Sequence, residues 1–230
     1  HNHGARTAEV LTFSRLADRV FAVVGGLAQQ MLTPAGQLLT LQEAARRVQV
    51  GLTAWSGLAD KPELLSETLA LIDECKSCMI EPEMLFRASE ESALDEDAAL
   101  SAKLCDLAQI LTQYDSLCEE TLPDPRDRLT HLRDGLAESH VLDGAEVYLD
   151  GFLSYTPQEL AIIEVMLSSG VPLTAAVTCD VELPDVFVTG CRTLRTLTRM
   201  AERCSRRPEL VDLGAGKMPR PAGLAAVANE

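Results

Sequence analysis

With 20 Lys and Arg against 35 Asp and Glu, this 230-residue chain has a formal net charge of −15, which counts against a broadly basic, phosphate-covering surface. Hydrophobic residues make up 47% and aromatic ones only 4%, so the length suffices for a large core that must be mainly aliphatic. No run of about 18 apolar residues is present to span a bilayer, and no charged-then-apolar leader is seen, so a cytoplasmic location is expected.

Glu9 to Phe13 (EVLTF) is a β-prone run, and Ser14 stands where it could cap a helix through Leu16, Val20 and Val24 that stops at Gly25-Gly26. The opening before it, His-Asn-His without Met, reads as a segment cut from a longer chain. From Thr40 to about Ser139 the pattern is almost purely helical. One amphipathic stretch runs from Leu41 to Trp55, a second from Pro62 to Met79, and Pro82 opens a third. An acidic, poorly periodic link is expected at Glu90, Glu91, Asp95, Glu96 and Asp97, followed by a long helix from Leu100 to Leu117. Pro123-Asp124-Pro125 turns the chain into a helix through Leu129, Leu132 and Leu136.

At Ala145 the character changes. Glu146 to Leu149 (EVYL) predicts a strand ending in Asp150-Gly151-Phe152, and Thr156-Pro157-Gln158-Glu159 is a capping-box helix start. The helix runs to Gly170, and Leu173 to Thr178 (LTAAVT) predicts another strand ending at Cys179-Asp180. Strand-helix alternation at both ends predicts one parallel α/β sheet holding Val10, Leu11, Val147, Leu149, Leu173 and Val177, with the helical middle inserted. The last stretch, 214–230, is rich in Gly, Pro and Ala and is expected to be loosely ordered.

Asp150 and Asp180 each follow a predicted strand, the place where a parallel sheet meets its ligands, although Asp also suits such turns for conformational reasons. No phosphate loop accompanies them. The nearest string, Leu213 to Met218, lacks both the first Gly and the Mg²⁺-binding hydroxyl. Seven Cys, an odd number without framework spacing, predict reduced thiols, and Cys75-x-x-Cys78 has no second half from which to build a zinc site. The four His have no nucleophile or ligand context, and the pairs Glu74/Lys76 and Lys103/Asp106 read as surface charges at helix spacing. Between Phe187 and Arg220 eight basic residues face three acidic ones, a local +5. There Arg192, Arg195, Arg199 and Arg203 share one helix face, opposite Leu194, Leu197, Ala201 and Cys204. Such a face is either simply solvated or meets DNA or an acidic partner.

Five blocks in order, Glu9 to Gly26, Leu71 to Leu85, Lys103 to Leu111, Ala145 to Leu160 and Leu173 to Asp180, resemble the AddB (RexB) family of subunits of bacterial ATP-dependent helicase/nucleases. The resemblance implies an α/β fold of the P-loop NTPase, superfamily 1 helicase-like kind. Residues 1–26 and 144–213 would form an incomplete domain 1A parallel sheet, 27–143 an inserted all-helical 1B subdomain, and 214–230 a linker. In that frame Val10 to Ala17 occupies the place of motif Ia, Asp150-Gly151 is a degenerate motif II lacking the water-orienting Glu, and Asp180 ends a motif III-like strand. The DNA-binding residues it implies are Phe13, Arg15 and Phe152, at the surface that lines the channel for the exiting strand and takes part in recombination-hotspot recognition. Asp18 stands where relatives can have an aromatic. The implied function is that of a non-motor subunit in double-strand-break repair, partnered by the AddA motor/nuclease subunit and DNA. Mg, ATP and an iron-sulfur cluster are expected in the full complex, with no cofactor and no catalytic residue in this segment. The alternative is a stand-alone helical interaction module with a vestigial nucleotide-binding fold.

Overall fold

Helix starts in this chain are written by short polar side chains and prolines, and the computed structural model, which describes residues 8–180 and 183–213, uses nearly all of them. Among the described residues the order is α1 (Phe13–Val24), α2 (Pro34–Val48), α3 (Pro62–Ser77), α4 (Pro82–Leu94), α5 (Ala98–Glu120), α6 (Arg128–Ser139), β1 (Val147–Leu149), α7 (Pro157–Ser168), β2 (Leu173–Ala175) and α8 (Val188–Arg203). Thr12, Thr33 and Asp97 accept hydrogen bonds from backbone amides of the first turns of α1, α2 and α5. Proline opens α2, α3, α4 and α7, where its missing N–H costs nothing. The capping box of α7 is complete: Glu159 N donates to Thr156 Oγ1 at 3.2 Å and Thr156 N donates to Glu159 Oε2 at 2.8 Å.

Among the described residues the chain is mostly helical, with one small parallel sheet. β1 pairs with β2 in the register Val147 to Leu173 and Leu149 to Ala175, and α7 supplies the crossover that parallel pairing requires. One core gathers Leu41, Ile72, Ile110, Leu111 and Tyr114 from α2, α3 and α5. A second lies between α1, α6 and α7, where Leu16, Val20, Leu132, Ile162 and Met166 meet. A third joins the sheet to α8 through Leu149, Ile163 and Met200. Helix α7 therefore contributes to two cores, Ile162 to one and Ile163 to the next. None of the described helices is long and apolar enough to cross a membrane.

Several expectations are corrected. EVLTF is not a strand: the chain is extended only to Thr12 and turns helical at Phe13, so Thr12 rather than Ser14 caps α1. Val10 is 94% exposed, and Leu11 packs against the cluster containing Val147 and Leu173 without joining their sheet. β2 stops at Ala175, which leaves Val177 outside it. The first long helix begins at Pro34 and ends at Val48 instead of running to Trp55. The acidic link shrinks to 95–97, because Glu90 and Glu91 lie in α4. Helix α6 packs on α1 and α7, although the sequence groups it with the helical block. The stretch 214–230 lies outside the described residues.

Of the charges read as surface pairs, Glu74 and Lys103 are exposed, but Asp106 and Lys76 are interior. Asp106 is 1% exposed, and its carboxylate accepts from the backbone N–H groups of Thr53, Ala54 and Trp55 at 2.7–3.1 Å, fixing the loop after α2 onto α5. Lys76, with its side chain 8% exposed, reaches Asp115 at 2.7 Å and Asp127 at 2.8 Å. Burial disfavours its charge, but these two carboxylates outweigh that and hold the ammonium above the usual lysine range. Burial pushes Asp115 up against the pull of Lys76, and the nearby Asp127 and Asp124 add smaller pushes in the same direction. Beside them Asp124 accepts from Tyr114 Oη and Gln37 Nε2, both at 2.9 Å. Gln158 of α7 then donates to Arg126 O and Thr130 Oγ1 at 3.1 Å. This polar seam ties the four-helix block to the sheet-bearing part.

Candidate nucleic-acid interface

The residues at the C-terminal ends of the two strands define the site. β1 ends at Leu149, and the chain leaves through Asp150, Gly151 and Phe152 before Thr156 starts α7. Gly151 has φ +81, a left-handed conformation in which any side chain would be strained, so a glycine here has a backbone reason as well as the motif II reading. Asp150 is exposed. Asp180 is half-buried, and its carbonyl accepts from Cys191 Sγ at 3.5 Å.

Phe13 opens α1, and its ring meets that of Phe152 edge to face at a centroid distance of 5.7 Å and 62°. The two residues are 139 positions apart and share this end of the sheet, as the sequence predicts, though Phe13 comes from a helix's first turn and not from a strand. Both rings are half-buried, and Phe13 packs against Leu149 and its neighbours. Arg15 is exposed on the same turn. Close by, Arg19 hydrogen-bonds Glu9 and holds that carboxyl below its usual range, with a smaller pull from Arg15. Asp18 pairs with Arg128 of α6, whose guanidinium sits 5.1 Å from the Phe21 ring centroid. Asp18 thus fastens α1 to α6.

Sequence reasoning missed Tyr155. Its ring stacks on Phe152 at 4.9 Å and 27°, extending the aromatic cluster to three. Burial raises its phenol, with Glu159 adding to the effect, and its shielded hydroxyl has no partner among the described residues. The signal was available. Tyr155 directly precedes the N-cap and packs in the same cluster as Leu160, the arrangement of a hydrophobic staple. Thr193 of α8 completes the frame by donating to Leu153 O at 2.8 Å.

What the arrangement offers is a half-buried aromatic ledge with an exposed guanidinium beside it, suited to base stacking and phosphate contact. No group of three or more His, Cys, Asp or Glu side chains converges among the described residues. All seven cysteines are free, with Cys75, Cys118 and Cys191 buried and Cys78 exposed.

A family profile described as ADDB, N-terminal matches residues 1–217. A protein of Symbiobacterium thermophilum, named as the B subunit of an ATP-dependent helicase/deoxyribonuclease, is 36% identical over 168 residues, 72% of this chain and 14% of that protein. Proteins of the same name from Acetivibrio thermocellus and Clostridium tetani are 31% identical over 204 residues and 32% over 160. They cover 86% and 70% of this chain, which in turn spans 18% and 14% of their lengths. With the profile match extending over nearly all of its length, this chain belongs to the family of AddB N-terminal domains.

Proposed function

We propose that this chain is the helicase-like N-terminal part of the non-motor subunit of an ATP-dependent helicase/deoxyribonuclease, and that it binds the single strand leaving the motor. The observation that carries the reading is the meeting of Phe13 and Phe152 at the strand ends, with Arg15 exposed on the adjacent turn. A base can stack on such rings for about 1–3 kcal/mol, and a guanidinium can fork onto phosphate or a base edge. In this account 1–26 and 144–213 are the incomplete domain 1A of a P-loop NTPase fold and 27–143 the 1B insertion. The packing of α6 on α1 and α7 favours drawing the end of the insertion before α6. Asp150-Gly151 and Asp180 are vestiges of motifs II and III, and Gly151 has no side chain to orient water, so the segment hydrolyses no ATP itself.

The enzyme is then the complex, formed with the AddA motor/nuclease subunit in the cytoplasm and acting in double-strand-break repair. Mg, ATP and the iron-sulfur cluster are held by parts of that complex outside this chain. Hotspot recognition is tested in the intact complex with Arg15→Ala and Phe152→Ala. The expected result is loss of hotspot-dependent pausing with unwinding retained. Unchanged pausing in both variants would remove these residues from the recognition site.

A further inference from the structure

Helix α8 has two unlike faces. Thr193, Leu197 and Met200 pack toward the protein, while Arg192, Arg195 and Arg199 are exposed on the opposite side within one narrow arc. The two ends of this basic row differ. Near the C-terminus of the helix Arg203 is paired with Glu164 at 3.1 Å, and Arg206, just beyond it, donates to Leu167 O at 3.0 Å. Toward the N-terminus, by contrast, Arg192, Arg195 and Arg199 have no hydrogen-bond or ion-pair partner among the described residues. In a chain with 15 more acidic than basic residues, this row without carboxylate partners leaves a local positive stripe on an otherwise acidic protein.

The unpaired half of α8 is also the half that abuts the strand ends. Thr193 bonds Leu153 O, Cys191 bonds Asp180 O, and a Cβ placed on Gly190 would lie 2.1 Å from Thr178 O. The row therefore starts beside the loop that carries Phe152. From Arg192 to Arg199 it runs about 10 Å along the helix axis, long enough to follow a short stretch of single-strand backbone. The positive end of the helix dipole adds to the field at the same end.

We propose that Arg192, Arg195 and Arg199 form a phosphate track that continues the aromatic ledge, so that a single strand stacked at Phe152 lays its backbone along α8. This extends the single-strand binding assigned above and rests on it. The chemistry is sequence-independent: each arginine neutralises a phosphate and releases its counterion, so the track shows in the salt dependence of binding and not in base preference.

The test measures binding of a fluorescent oligo-dT to the intact subunit across a salt series, by anisotropy. With Arg192, Arg195 and Arg199 all changed to Gln, the slope of log affinity against log salt should become shallower by about 2, from ~0.7 per lost phosphate contact on a single strand. Arg203→Gln, whose partner is Glu164, should keep the wild-type slope, and thermal melts by circular dichroism establish that the variants fold. Phe152→Ala should weaken binding at every salt concentration with the slope kept. An unchanged slope in the triple variant while Phe152→Ala binds weakly overturns the track and leaves the ledge standing. A shallower slope in the triple variant with Phe152→Ala binding normally supports the track and removes the ledge. If the triple variant keeps its oligo-dT slope but loses binding to poly-glutamate, the row serves an acidic protein surface and the phosphate track is wrong.

Discussion

At the scale of single residues, Asp106 and Cys118 show how the interior sets chemical character. Asp106 satisfies three backbone donors of the loop at 53–55 while almost wholly buried. Changing it to Ala leaves those N–H groups without an acceptor, and buried unsatisfied donors cost about 1–3 kcal/mol each. Because the loop can partly relax toward water, Asp106→Ala should cost about 3 kcal/mol by urea unfolding, and a loss under about 1 kcal/mol would mean that the clamp is incidental. Cys118 is held inside the polar seam, where burial first and Asp124 next push its thiol up to about 12. Burial raises Cys75 as well. Since the thiolate is the reactive form, a thiol reagent at about pH 8 should label exposed Cys78 in the native protein and reach Cys118 and Cys75 only after denaturation. Native labelling of Cys118 at the rate of Cys78 would contradict its placement. Neither Asp106 nor Lys76 was legible as an interior charge. Their partners lie 39–53 positions away, and helical spacing reports only neighbours three or four apart.

Among elements, some signals in the sequence held and others misled. The α7 start could be read because both halves of its capping box lie within four residues. The β1, α7, β2 unit could be read because a crossover of ordinary length joins its strands. EVLTF misled because β-prone composition describes a half-buried surface, whereas a strand exists only when a neighbour offers its ladder. Here Thr12 bonds Arg15 N and diverts the chain into a helix. Of the candidate site, Phe13 and Phe152 could be placed together from the order of elements, while Tyr155 needed the staple with Leu160 to be noticed. The contact between α8 and the segment after β2 depends on Gly190, where an added Cβ would meet Thr178 O at 2.1 Å and Thr178 C at 3.0 Å. Backbone cannot yield as a flexible side chain can, so Gly190→Ala should destabilise by about 2 kcal/mol, within the range for overpacking. It should also lower the melting temperature more than Gly57→Ala, whose site is open and bears only backbone strain. Equal losses in the two variants would show that α8 can lift from the segment without penalty.

Over the whole molecule, two structural parts are joined by the seam of Lys76, Asp124 and Gln158, and the strand ends bring distant segments to one place. In the proposed function the aromatic ledge built there from Phe13, Phe152 and Tyr155 receives an unpaired base. This is decided by the fluorescence of single-stranded DNA carrying 2-aminopurine, titrated with the intact protein and with its Phe152→Ala variant. Stacking on the ledge should quench the probe as the wild-type protein binds. In the variant the quench should disappear and affinity fall roughly 5- to 150-fold, the equivalent of ~1–3 kcal/mol per stacked base. The same quench and the same affinity in both proteins would contradict the account.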